Sequence, residues 1–156
     1  MNLSNYLLDQ EGHDWSDILS DWDWLLPSEF TVWMVNRFGD VIFVSADRAV
    51  HLLDIGAALV KQLAVSREEF IAKVDVDDNA DNWLLISLTD KCVASGLKLD
   101  RGQCYSFKLT PVFGGEYIVE NIHVIDFEVN FSLLAQIHRQ IRDLPDGTQV
   151  NFVLDT

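Results

Sequence analysis

Cysteine, proline and basic residues are all scarce in this chain, and each shortage excludes something. Its two cysteines, Cys92 and Cys104, are too few for a disulfide framework and lack the CxxC spacing of a redox or zinc motif. Its three prolines are widely scattered, and no repeat or low-complexity tract accompanies them, so no linker divides the chain. Apolar runs such as Val41–Val44 fall far short of the roughly 20 residues that cross a bilayer. The opening Met1-Asn2-Leu3-Ser4-Asn5-Tyr6 has no basic region followed by an apolar run, so a signal peptide is not expected and a cytoplasmic location is. Only 11 Lys and Arg stand against 25 Asp and Glu, a net charge of −14. Such a chain repels phosphate backbones and anionic lipid, so neither direct nucleic-acid binding nor membrane association is expected.

What is abundant is apolar: 49% of the 156 residues are hydrophobic and five are Trp. That excludes disorder and suits one domain, which at this length buries roughly two-thirds of its unfolded surface. Trp15, Ile18, Leu19 and Trp22 follow i, i+3, i+4, i+7 spacing and predict a helix, with Asp14 as its cap and Asp14, Asp17 and Asp21 on a second stripe. The dozen residues before it read as loose. Thr31–Asn36, Asp40–Ser45 and Ala49–Leu53 are rich in Val, Ile, Phe and Trp and are separated by hairpin-sized connections. They predict an antiparallel meander, with a weaker fourth strand near Leu59–Val65.

Ser66-Arg67-Glu68-Glu69 is a capping box opening a helix that buries Phe70, Ile71 and Val74. One helix is predicted from Asn79 to Gly96, with Trp83, Leu84, Leu85, Leu88 and Cys92 inward. Strands follow at Cys104–Leu109 and Ile122–Val129, around a Gly114-Gly115 loop. A last helix, Phe131–Asp143, buries Leu134, Ile137 and Ile141. Strands without regular βαβ alternation argue for an α+β fold. The organisation expected is an N-terminal helical segment, residues 1–25, completing one compact domain over 26–156.

Signals for catalysis are thin. Asp75, Asp77, Asp78, Asn79 and Asp81 suggest a calcium loop, but Ala80 and Ile86 stand where an EF-hand needs Gly and Glu. Among His13, His51, His123 and His138 there is no HExxH spacing, and His51–Asp54 and His123–Asp126 point to opposite strand faces. His138 reads as a hydrogen-bonded histidine at the edge of the core. No metal or cofactor is implied. A polar set, Gln103, Tyr105, Lys108, Glu116, Tyr117 and His138, lines a small pocket on one reading; on another it is the network holding the Gly114-Gly115 loop.

Charge distribution is more informative. Residues 1–36 hold seven acids and residues 74–90 five, with no Lys or Arg in either stretch. A solvated face explains such runs, and so does a surface that steers a basic partner such as a nuclease, whose groove must be basic.

Two segments are distinctive. One is Gly102-Gln103-Cys104-Tyr105-Ser106-Phe107-Lys108 with Pro111, Gly114-Gly115-Glu116-Tyr117 and Glu120-Asn121-Ile122. The other is Gln136-Ile137-His138-Arg139-Gln140-Ile141-Arg142-Asp143-Leu144-Pro145-Asp146-Gly147-Thr148. Together they resemble the C-terminal domain of the Tdi-type immunity proteins, which protect bacteria against type VI secretion DNase effectors. Leu26-Pro27-Ser28-Glu29-Phe30, Asn36-Arg37-Phe38-Gly39-Asp40-Val41 and Ser66–Phe70 look like the GAD-like region found with that domain. The resemblance spans Leu26 to Thr148. It implies a cytoplasmic, non-enzymatic antidote that binds a cognate toxin, and it supplies no catalytic residues to carry over.

Combined with the charge pattern, it points to a basic nuclease bound by Asp14, Asp17, Asp21, Asp75, Asp77, Asp78 and Asp81. Two other readings stand beside it. One is a ligand-binding or enzymatic pocket around Tyr105, Lys108, Glu116 and His138. The other is a homodimer built on Trp22 and Trp24.

Overall fold

The apolar runs between Phe30 and Ala64 pair as an antiparallel meander of four strands: β1 (Phe30–Val35), β2 (Val41–Ser45), β3 (Val50–Asp54) and β4 (Leu59–Ala64), in that order across the sheet. The computed structural model describes residues 2–149, so the end of the 26–156 unit lies outside the described residues. Strand pleating divides the side chains between two faces, and both are covered, which is why the strands read as nearly continuous apolar runs. Val35, Val41, Phe43 and Leu53 point to one face; Met34, Ile42, Val50 and Leu52 point to the other. A bulge between Val32 and Met34 lets the adjacent Trp33 and Met34 share the second face.

The first face is covered by α1 (Trp15–Ser20) and α5 (Phe127–Ile141). Trp22, just past α1, is fully buried there and donates its indole N–H to the Phe131 carbonyl at 3.1 Å. The second face is covered by α2 (Arg67–Lys73) and α3 (Asn79–Leu84), through Phe70, Val74, Trp83 and Leu84. Burying each of these large apolar side chains is worth about 1.5–3 kcal/mol. A third cluster joins α4 (Ile86–Ala94) to a two-stranded ribbon, β5 (Gln103–Phe107) and β6 (Ile122–Asp126), through Leu88, Cys92, Tyr105, Ile122 and Phe38. The result is a single α+β domain.

Four expectations change in detail. The N-terminal residues are tied down: Leu8 N–H donates to the Val35 carbonyl at 2.7 Å, extending the sheet beyond β1. Ile71 is 62% exposed, because the capping box sets the helix phase and Phe70 and Val74 take the inner stripe. The helix expected from Asn79 to Gly96 is two helices, broken at Leu85 in a left-handed conformation (φ 51°). The break is capped from across it, since the Asp81 carboxylate accepts from both the amide and the hydroxyl of Ser87 at 2.8 Å.

The fourth concerns the last strand, which stops at Asp126. That side chain accepts from Val129 N–H at 3.0 Å and starts α5 four residues before the expected helix. The buried stripe of α5 is accordingly Phe127, Phe131, Ala135 and His138, while Leu134, Ile137 and Ile141 lie half-buried beside it.

Candidate functional site

The two acidic stretches lie on opposite sides of the sheet. Asp14, Asp17 and Asp21 belong to α1, over the first face. Asp75, Asp77 and Asp78 lie in the exposed connection from α2 to α3, over the second face, and Asp81 follows inside α3. One flat contact cannot cover both. Several of these carboxylates also hold local structure: Asp14 accepts from Asp17 N–H at 3.3 Å as the cap of α1, and Asp81 caps α4. Asp17, Asp75, Asp77 and Asp78 are exposed, and Asp21 is half-buried with its carbonyl taken by Arg139 at 2.9 Å. Beside α1 runs an open groove of roughly 770 Å³ lined by Trp15, Leu19, Leu26, Phe30, Val32 and Asp23, among others. It lies along the outer edge of β1, and α1 and the turn after it contribute Trp15, Ser16, Leu19, Ser20 and Asp23 to it, not the Asp14, Asp17 and Asp21 stripe.

The polar set of six is not gathered into one pocket. The strand pleat sends Tyr105 into the third cluster, where its hydroxyl donates to the Leu97 carbonyl at 2.6 Å. Gln103 accepts from Asp100 N–H at 2.8 Å beneath the ribbon, and Lys108 and Glu116 are exposed. His138 is buried in α5 with Nε2 at 2.9 Å from the Ile55 carbonyl; burial holds its pKa below the ordinary histidine value. The Gly114-Gly115 loop is held instead by Asn121. Its side chain accepts from Leu109 N–H and donates to the Leu109 and Glu116 carbonyls, each at 2.9 Å. A Cβ on Gly115 would sit 1.7 Å from the Leu109 carbonyl oxygen, so only glycine closes this turn. Trp22 is core, and Trp24 stacks on it at 5.9 Å beneath Arg142, which removes the exposed aromatic pair from a dimer surface.

The structure assembles a different polar centre, which the sequence reading passed over. The β1–β2 turn is knotted by Asn36. Its Oδ1 accepts from Phe38 and Asp40 amides at 3.0 and 3.1 Å, and its Nδ2 donates to the Asp40 carboxylate at 3.1 Å and the Trp83 carbonyl at 3.3 Å. Gly39 permits this closure: a Cβ there would meet Phe127 at 3.2 Å. Asp40, 8% exposed, also accepts from Ile55 N–H at 3.0 Å. Burial first, and then the nearby Asp54, push its carboxyl up to about 8.

Asp40 opens on a cavity of roughly 270 Å³ where the meander, α3, the ribbon and α5 meet. Asp54, Asp81, Ser106, Thr110, Tyr117 and Asn130 supply its other polar walls. Asp54 Oδ1 accepts from the amides of Gly56 and Ala57 at 3.0 and 3.1 Å. Ser106 Oγ donates to Asn130 Oδ1 at 2.7 Å, which leaves Asn130 Nδ2 without a partner, as is Thr110 Oγ1. Tyr117 is pushed up to about 12 by desolvation, then by Asp54 and Asp40. Cys104, fully buried in the core, is pushed up to about 12, first by burial and then by Asp40 and Asp126, so it is an unreactive thiol. One sequence signal did mark this centre: Asn36 and Asp40 are polar residues closing a hairpin whose two strands are otherwise apolar.

Among the described residues no group of three or more His, Cys, Asp or Glu is arranged to hold a metal ion, and no helix is long and apolar enough to cross a membrane. The family described as "T6SS immunity protein Tdi1, C-terminal" matches residues 64–138, from the end of β4 into α5. The motifs between Leu26 and Leu63 lie outside that match. Among solved structures the chain is similar to "Crystal structure of Atu4351 from Agrobacterium tumefaciens", at 22% identity and a TM-score of 0.49, over 78% of this chain and 62% of that one. The chain therefore spans less than two-thirds of that structure's length. No curated protein matches the chain. Residues 64–138, just under half of the chain, thus carry the likeness to the Tdi1 C-terminal domain of type VI secretion immunity proteins, and this match supports a Tdi-type immunity protein.

Proposed function

We propose that the protein binds a cognate nuclease toxin and neutralises it without chemistry of its own. The family match carries this reading, and the net charge of −14 supports the choice of a basic partner. A nuclease groove that holds a phosphate backbone attracts an acidic protein over a distance set by ionic strength.

The two acidic stretches take different parts in it. The α1 side, which carries Asp17 and Asp21, is the contact surface. The Asp75–Asp78 connection, on the opposite side of the sheet, adds to the steering field without touching the toxin. Contact residues alter dissociation, whereas remote charges alter mainly association.

The test uses a purified nuclease effector of type VI secretion as the toxin, with DNA cleavage and binding kinetics at two salt concentrations as readouts. Asp17→Lys with Asp21→Lys should slow association, speed dissociation and restore cleavage. Asp75→Lys with Asp78→Lys should slow association only, and the effect should fade at high salt. Asp14 and Asp81 are left intact because they cap helices. Full cleavage with wild-type protein in molar excess would overturn the function; wild-type kinetics in both variants would overturn only the surface assignment.

A further inference from the structure

Arg37 is the first Lys or Arg of the chain, and in a protein with 25 acids it has no counter-ion. It follows Asn36 in the knotted β1–β2 turn, and its carbonyl accepts from Tyr105 N–H at 2.8 Å, so the base of the side chain is fixed. Among the described residues no carboxylate pairs with its guanidinium, whereas Arg101, Arg139 and Arg142 each have an acid. Its Nη2 donates only to the Ser4 carbonyl, at 3.4 Å, and its Nε is buried without a partner. A half-buried charge left uncompensated is costly, and an anion on the outer edge of the guanidinium relieves that cost.

Arg37 lines a groove of roughly 610 Å³ between the N-terminal segment and the loop that enters β5. That volume lies within the about 300–1,000 Å³ of small-molecule sites. The groove shares no lining residue with the cavity at Asp40. Two further bases stand in its walls and are already engaged, His13 with Glu128 at 3.0 Å and Arg101 with Glu11 at 3.7 Å. Arg37 is therefore the free cation of this groove. Asp9 and Asp100 also line it, so a dianion such as phosphate meets repulsion there and a single negative charge is favoured. Leu7, Leu8 and Leu99 give the groove an apolar wall.

We propose that this groove binds a monocarboxylate with an apolar body, its carboxylate on the Arg37 guanidinium and its body along the three leucines. A guanidinium offers a carboxylate two parallel N–H donors, a match that neither an amide nor a lysine ammonium reproduces. The chemistry has two sources, a free small carboxylic acid or the C-terminal carboxylate of a peptide, and Arg37 takes the same part in both.

The probe is N-acetyl-leucine, set against its neutral counterpart N-acetyl-leucine amide, in calorimetry and in amide NMR at Leu8 and Tyr105. The acid should bind wild-type protein about tenfold or more tightly than the amide, a comparison that needs no variant. Arg37→Gln should abolish the preference for the acid, and Arg37→Lys, which keeps the charge but not the planar fork, should weaken it several-fold in a protein of unchanged circular dichroism. Arg101→Gln, whose side chain is 68% exposed and held by Glu11, should leave the preference in place. Equal affinity for acid and amide, no binding at millimolar concentration, or an acid preference that survives Arg37→Gln would each overturn the assignment. N-acetyl-Gly-Gly-Leu carries the same terminus on a longer body and separates the sources: binding as tight as N-acetyl-leucine or tighter identifies a peptide C-terminus, and weaker binding a free acid. Toxin neutralisation is read by DNA cleavage, so either proposal can fail without the other.

Discussion

Raising the pH from 6.5 to 8.5 should destabilise this protein, contrary to what its many exposed carboxylates suggest. Asp40 has a folded-state pKa near 8 against an ordinary 3.8, so the folded chain holds a proton that the unfolded chain has released. Its stabilising contribution is complete below about pH 4 and is lost as pH rises through 8. Below 6.5 a second group acts in the opposite sense. Burial lowers the pKa of His138, so the unfolded state takes up the proton first and stability falls as pH falls. That opposing contribution fades within about one pH unit above 6.5. One proton at about 1.4 kcal/mol per pH unit gives a loss of about 2 kcal/mol between 6.5 and 8.5, flattening near the top. Above that, the buried Cys104 and Cys92 thiols, raised to about 12 and about 11, add losses of the same sign.

Urea unfolding followed by Trp fluorescence at half-unit steps of pH measures this directly. Asp40→Asn lowers the baseline, because an amide donor must face either Ile55 N–H or Asn36 Nδ2, but it should abolish the slope in this window. Asp54→Asn removes the like charge that helps hold Asp40 protonated, and should move the slope to lower pH. A wild-type slope near zero, or one that survives in Asp40→Asn, would refute the argument and place the cause in general charge repulsion.

Three substitutions test the packing. Trp22→Ala empties a fully buried site on α5 and should cost about 3–5 kcal/mol in chemical denaturation. Asn36→Ala leaves the Phe38 and Asp40 amides and the Trp83 carbonyl unpaired at about 1–3 kcal/mol each, and should lower the melting temperature more than any exposed Asn→Ala change. Gly115→Ala drives a Cβ into the Leu109 carbonyl and should cost about 1–3 kcal/mol or more, whereas Gly12→Ala, with nothing within 4 Å of its Cβ, pays only for its positive φ.

The meander was legible because its signal is one-dimensional: alternation, β-branched residues and hairpin-sized gaps all occur within a few positions. So was the cap at Ser66, where the Oγ accepts from Glu69 N–H at 3.1 Å. The helix boundaries at Leu85 and Asp126 were not, because each is decided by a carboxylate that reaches a backbone amide and outweighs the apolar periodicity around it. Asp81 restarts a helix after a left-handed residue, and Asp126 converts what reads as strand into the first turn of α5. Exposed and structural aspartates look alike in sequence, so the cap at Asp14 was legible beside its apolar stripe while those at Asp81 and Asp126 were not.

The same ambiguity explains why the polar centre was invisible while the acidic stripes stood out. A run of acids without bases is a property of neighbours in sequence; a cavity wall is a property of neighbours in space. Asp40 and Asp54 come from the meander, ahead of the matched residues 64–138, while Asp81, Ser106, Tyr117 and Asn130 come from within them. No window of the chain contains the site, and of the six residues that looked like a pocket only Tyr117 lines it. Packing also separates roles that the charge count merged. With α1 and the α2–α3 connection over opposite sheet faces, one flat contact can cover at most one of the two stripes. At the seam each part satisfies its own buried polar groups before the two meet: Asn36 and the Ile55 amide hold Asp40 within the meander, and the Ser106 hydroxyl holds Asn130 between the ribbon and α5.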